Sequence, residues 1–270
     1  MMTPVFELNN GVSIPAIGMG GWDQKENQVL DSLSTGYRLL DTAAQYGNEE
    51  EYGQALSTTD IKREEIFLTT KLWTDDVRSR RTREAFNESL ERLKTDYIDL
   101  YLIHWPAEGF EEAWLEMEDL YKEKKIRSIG VSNFELHHFE CLKKHGATVI
   151  PAVNQIEIHP YLSNSEVVDY CLSNGIRPEA WCPIGGPERK EINDDIIKEI
   201  AENHGKSAPQ IILRWHFQRG VISIPKTSHV ERMKENKDIF DFELSPEEMK
   251  MINGLDRNRR LGPHPDNFDF

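Results

Sequence analysis

Two periodicities alternate along the chain. Short runs rich in Val, Ile, Leu, Tyr and Phe are separated by longer segments whose apolar residues return on one helical face. The first kind reads as strands and the second as amphipathic helices. Eight candidate strands follow: AIGMG (16–20), YRLLD (37–41), IFLTTK (66–71), YIDLYLIH (97–104), IRSIGVS (126–132), AVNQIE (152–157), IRPEAW (176–181) and VISIP (221–225). Between them, residues 79–96 carry a stripe of Ala85, Phe86, Leu90 and Leu93. Residues 109–125 carry one of Phe110, Ala113, Trp114, Met117, Leu120 and Tyr121. Segments 163–175 and 207–220 each open on a serine and close on a glycine, the start and stop signals of helices.

Alternation of this kind argues for parallel βαβ units. With no linker dividing the chain, it predicts an α/β fold, one closed (β/α)8 TIM barrel domain over residues 1–270. The rival, an open doubly wound sheet, lacks a GxGxxG after its first strand. Ahead of the barrel, FELNNGVSIPA (6–16) reads as a β-hairpin around an Asn-Asn-Gly turn, capping the bottom. Extra helices are expected near the C-terminus, at NDDIIKEIAENHG (193–205) and SPEEMKMINGLD (245–256), followed by an irregular tail, RNRRLGPHPDNFDF (257–270).

Charge narrows the possible partners. The 47 Asp and Glu against 32 Lys and Arg leave a net charge of −15, which disfavours nucleic acid and anionic membrane surfaces. No apolar stretch approaches the roughly twenty residues of a membrane span, and the N-terminus has no secretory pattern. Three cysteines without a CxxC suggest neither a disulfide framework nor a structural zinc. A reduced, cytoplasmic monomer is the expectation.

A barrel enzyme builds its site at the C-terminal ends of its strands. Reading the residues that close each run gives Asp41, Lys71, His104, Ser132 with Asn133, Gln155 with Glu157, Trp181 and Lys226. Buried ionisable groups need partners, and position alone permits either a structural ion-pair network or a site. Tyr46 lies five residues past Asp41. A neighbouring Lys71 is expected to lower the phenol's pKa, with Asp41 keeping the lysine charged. Asp, Tyr, Lys and His together suit protonation of a carbonyl oxygen, with His104 bonding the substrate. Nothing here looks like a nucleophile or a metal cluster, so a hydride donor such as a nicotinamide is implied.

These residues fall in recognisable strings: GMGGW (18–22), LLDTAAQYGNEEEYGQAL (39–56), TTKLW (69–73), DLYLIHWP (99–106), IRSIGVSNF (126–134), VNQIEIHP (153–160), IPKTSHVERMKEN (224–236) and GPHPDNFDF (262–270). In this order they make the chain resemble the aldo-keto reductase family over essentially its whole length. The likeness is greatest to the small bacterial branch that includes the 2,5-diketo-D-gluconate reductases. The resemblance implies a barrel binding NADPH/NADP+ in extended form and a catalytic tetrad of Asp41, Tyr46, Lys71 and His104, with Tyr46 as general acid. It places the nicotinamide carboxamide at Ser132, Asn133 and Gln155, and an aromatic platform at Trp181. The family usually has Tyr at that last position. The 2′-phosphate is implied at Lys226, Thr227 and Arg232, with Glu235 and Asn236 near the adenine. His229 stands where some relatives carry Arg.

Small carbonyl substrates are expected between His104, Trp22, Trp73 and Trp105, whose indoles follow strand ends. Trp114 and Trp215 read as core, and Cys182 as a packing residue. His137, His138, His159 and His216 show no ligand spacing, and no metal site is expected. The alternative reading is a weakly catalytic nucleotide-sensing protein on the same fold, for which a complete tetrad is unnecessary.

Overall fold

A computed structural model describes residues 3–188 and 190–270. The chain opens with the hairpin of β1 (Val5–Glu7) and β2 (Ser13–Pro15), paired antiparallel. There follow β3 (Met19–Gly20), α1 (Glu26–Ser34), β4 (Leu39–Asp41), α2 (Glu49–Thr58), β5 (Phe67–Leu72), α3 (Thr74–Arg78), α4 (Thr82–Leu93) and β6 (Ile98–Ile103). Next come α5 (Phe110–Lys122), β7 (Ile126–Ser132), α6 (Leu136–Lys144), β8 (Val153–Glu157), α7 (Ser165–Ser173) and β9 (Arg177–Trp181). The last stretch is α8 (Asp195–His204), α9 (Ala208–Gln218), β10 (Ile222–Ser223), α10 (Val230–Lys237) and α11 (Pro246–Asn253).

Strands β3 to β10 form one parallel sheet in sequence order. Its two ends meet. Gly18 N donates to Ser223 O at 2.8 Å and Gly20 N to Pro225 O at 3.2 Å, which turns the sheet into a (β/α)8 barrel and leaves no exposed edge. All eight predicted strands are present. The first and last keep only two residues each in regular pairing.

The predicted 79–96 helix starts later, at Thr82, because Arg80 takes a left-handed φ of 55° and separates α3 from α4. It stops at Leu93 for the same kind of reason, with Lys94 at φ 50°. The two extra C-terminal helices are those expected.

Two apolar cores result. One lies inside the barrel, where Leu39, Phe67, Leu100, Leu102, Val153 and Ile222 pack on Leu8 and Ile14 of the hairpin segment. The hairpin therefore closes the bottom and leaves the C-terminal strand ends as the open face. The larger core fills the space between strands and helices, with Trp114 and Trp215 fully buried in it. Among the described residues no helix is long and apolar enough to cross a membrane.

Candidate active site

Lys71 projects from β5 and is completely buried. An ammonium has three protons to donate, and all are used. They go to Asp41 Oδ1 at 2.6 Å, Thr42 O at 2.9 Å and Tyr46 Oη at 3.3 Å. Asp41 ends β4, and Tyr46 sits on the single 3-10 turn Ala44–Tyr46 that follows it. The turn carries the phenol back over the strand end, with the Tyr46 ring centroid 4.8 Å from Lys71 Nζ. His104 follows β6, held by its N–H to Leu72 O at 3.0 Å. Its ring stands 5.7 Å from that of Tyr46. The four residues expected to act together are thus brought together.

Gly21 is what allows the close approach behind them. A Cβ there would collide with the Asp41 carbonyl oxygen and, at 2.5 Å, with the Tyr52 hydroxyl.

Burial dominates the electrostatics. It opposes the Lys71 charge, but Asp41 and Tyr46 outweigh it and hold the ammonium above its ordinary value. Burial raises the Asp41 carboxyl, against the pull of Lys71 and the Gln155 amide. Burial likewise raises the Tyr46 phenol, and Lys71 draws it back only in part while Asp41 adds to the rise. The net direction is opposite to the lowering expected from sequence, because taking a phenolate out of water costs more than one shared ammonium returns. His104 is pushed well below its ordinary value by burial and then by Lys71, so its imidazole is neutral at neutral pH. Its Nδ1 is buried with no partner among the described residues.

Beside the tetrad lies a buried acid that the strand-end reading does not single out. Gln155 Nε2 donates to Asp41 Oδ2 at 2.8 Å and also to Glu179 Oε1 at 2.5 Å. Glu179, in the middle of β9, is fully buried, and burial, reinforced by Asp41, raises it to about 8. The available signal was an acidic residue inside the strand string IRPEAW, where a free carboxylate has no place.

The residues proposed for a cofactor form a connected rim. Ser132 Oγ donates to Gln155 O at 2.7 Å. Asn133 adopts φ 60°, which lets its amide donate to His104 O at 3.0 Å and accept from Trp181 Nε1 at 2.8 Å. The Trp181 ring is therefore fixed by its own N–H. Gly262 makes room for it, since a Cβ there would lie 2.6 Å from the indole. Beyond Trp181, a cavity of about 290 Å³ is lined by Ile184, Gly185 and Pro209 on one side and by Lys226, Thr227, Arg232, Glu235 and Asn236 on the other. Among the described residues, the one ion pair of Lys226 is a long contact of 3.9 Å to Asp23. A larger hollow of about 640 Å³ between Glu26, Glu50, Glu51, Glu91 and Lys94 is open and lined by solvated charge, unlike the buried cluster at Lys71.

Aromatic rings surround the mouth. Trp22, 60% exposed, meets Tyr46 edge-on at 5.1 Å. Trp73 meets His104 at 5.1 Å. Trp105 is buried and is reached through the tail, whose Phe268 and Phe270 each lie 5.2 Å from it. Phe270 also stacks on Trp73 at 5.3 Å. The tail's part in this wall was not foreseen, although FDF is aromatic in an otherwise polar string. Glu157 anchors that tail, accepting from Leu261 N at 2.6 Å and Gly262 N at 3.1 Å.

Comparison with known proteins gives this geometry a context. The family model described as "Aldo/keto reductase family" matches residues 17–257. Glyoxal reductase of Bacillus subtilis is 45% identical over 270 residues, 98% of this chain and 97% of that one. Methylglyoxal reductase DkgA of Escherichia coli is 41% identical, with 98% of each chain covered. Among solved structures, an aldo-keto reductase from a deep-sea metagenome superposes with a TM-score of 0.94 at 42% identity, covering 98% of this chain and all of the other. A Bombyx mori aldo-keto reductase in complex with NADP gives 0.90 at 34% identity, covering 98% of this chain and 97% of that one. By sequence and by fold, this chain belongs to the aldo/keto reductase family.

Proposed function

We propose that the protein reduces aldehydes and ketones to alcohols with NADPH, and that Tyr46 protonates the carbonyl oxygen. The observation that carries this reading is the buried Lys71, which bonds Asp41 and Tyr46 at once. A phenol whose pKa lies above its ordinary value is fully protonated at neutral pH and available as an acid. The adjacent ammonium then stabilises the phenolate left behind, inside a site where charge interactions are strong. Asp41 keeps Lys71 charged and in place. Neutral His104 orients the carbonyl oxygen.

The residues present fit a phosphorylated nicotinamide dinucleotide. The cavity of about 290 Å³ has apolar walls, two adjacent glycines and a cationic end, and Arg232 has no ion-pair partner among the described residues. Lys226, Thr227 and Arg232 would hold the 2′-phosphate, with Glu235 and Asn236 at the adenine. Ser132, Asn133 and Gln155 would hold the carboxamide against Trp181. When bound, the dinucleotide supplies the hydride.

Trp22, Trp73 and Phe270 favour a small carbonyl. The activities named for the Bacillus and Escherichia relatives make short 2-oxoaldehydes the first substrates to try. The chain would act as one barrel domain, as a cytoplasmic monomer. NADPH oxidation by purified protein, run against glyoxal, methylglyoxal, aromatic aldehydes and keto sugars, tests the reading. Turnover above the substrate-free rate with at least one class is expected; none with any class contradicts it.

A further inference from the structure

Away from the active-site mouth, two histidines that show no ligand spacing in sequence converge on the tail. His137 and His138 begin α6, and Asp266 lies against both. His137 Nε2 is 3.1 Å and His138 Nε2 3.5 Å from Asp266 Oδ1. The three ligand atoms lie within 4.8 Å of one another. Two ligands of a tetrahedral zinc, each about 2.0–2.1 Å from the metal, stand about 3.3 Å apart. Both His–Asp separations match that edge, so modest rotations admit an ion. Two imidazoles and one carboxylate favour Zn²⁺, Ni²⁺ or Cu²⁺ over Mg²⁺ or Ca²⁺.

We propose that His137, His138 and Asp266 form a site for a divalent transition-metal ion that fastens the C-terminal tail to the start of α6. The coordination is His, His and carboxylate, with one position left to water. The positive end of the helix works against a cation. Asp266 offsets this, as does Glu135 at the N-cap, although Glu135 also pairs with Arg260 at 2.9 Å. His264 Nδ1, 3.8 Å from Asp266 Oδ2, lies beside the cluster.

Loading moves a proton. His138 Nδ1 accepts the Glu135 N–H at 3.0 Å, so the neutral ring carries its proton on Nε2, facing Asp266. Metal takes that place, Nδ1 becomes protonated, and the Glu135 cap bond is given up.

The tail it holds is the one that lines the pocket. Asp266 precedes Phe268 by two residues and Phe270 by four. Their rings lie on Trp105 and Trp73. The terminal segment is also tied by Arg78, whose Nη2 donates to Phe270 O at 2.8 Å. A filled site therefore holds the aromatic wall in place.

The test uses the full-length protein stripped with chelator. Equilibrium dialysis against Zn²⁺ should give one saturable equivalent per chain, weakened about tenfold or more in both His137→Gln and Asp266→Asn. His137 is 58% exposed, so its replacement leaves the core intact, which circular dichroism verifies. Chymotryptic cleavage at Phe268 should slow when Zn²⁺ is bound, and should ignore Zn²⁺ in Asp266→Asn. Absence of saturable binding, an affinity in both variants equal to that of the unmodified protein, or a cleavage rate blind to zinc in the unmodified protein would each overturn the proposal.

Discussion

Lys71 is legible in sequence because a lysine closing a strand of a barrel must either find partners or be expelled. The same reasoning found Asp41 and His104, and the offset of five residues found Tyr46. It misjudged the direction of the phenol's shift, since the depth of burial cannot be read from spacing. Glu179 escaped because it lies inside a strand rather than at its end, on the face that points into the barrel. Its titration gives a prediction. The carboxyl is raised from 4.5 to about 8 in the folded protein. Between those values the folded chain holds a proton that the unfolded chain has released, so this group's contribution to stability is full below the lower value and is lost as pH rises through the upper. Glu179→Gln cannot titrate. Denaturation midpoints at pH 5 and pH 8 should show the unmodified protein losing stability relative to the variant across that window. Parallel pH dependence in the two proteins would mean that Glu179 is ionised throughout.

Strands and helices follow the hydrophobic pattern closely where the pattern is long, as in α5 and β6. They depart where a single backbone conformation decides the boundary, as at Arg80 and Lys94. Pattern reading is blind to such residues, since their left-handed φ leaves no periodic trace. It is also blind to the tail, where no regular element forms and the rings are placed by Glu157 and Arg78. Helix ends with capping side chains are better specified. At α11, Ser245 Oγ accepts from Glu248 N at 3.2 Å while Glu248 Oε2 accepts from Ser245 N at 2.7 Å. Ser245→Ala should cost about 1 kcal/mol, seen as a lower denaturant midpoint at unchanged m-value. No change in midpoint would show that the helix is held by packing alone.

For the molecule as a whole, a hairpin shuts one end of the barrel, and two cations line the cavity beside the other. Arg232 and Lys226 stand out against a net charge of −15. If they receive a 2′-phosphate, Arg232→Ala should weaken NADPH by about tenfold or more, leave NADH nearly unchanged, and lose part of its effect at high salt. Tryptophan fluorescence titration with each dinucleotide measures this, and equal weakening of both would assign Arg232 to the adenine or to holding α10 in place. The central claim is that Tyr46 gives the proton. Single-turnover reduction of an accepted aldehyde by Tyr46→Phe, preloaded with NADPH, isolates that step. The variant keeps the ring and its edge contact with Trp22 but loses the hydroxyl that Lys71 bonds, so NADPH affinity should be nearly unchanged while the rate falls about 10²–10⁴-fold. A single-turnover rate within tenfold of the unmodified protein would contradict the account.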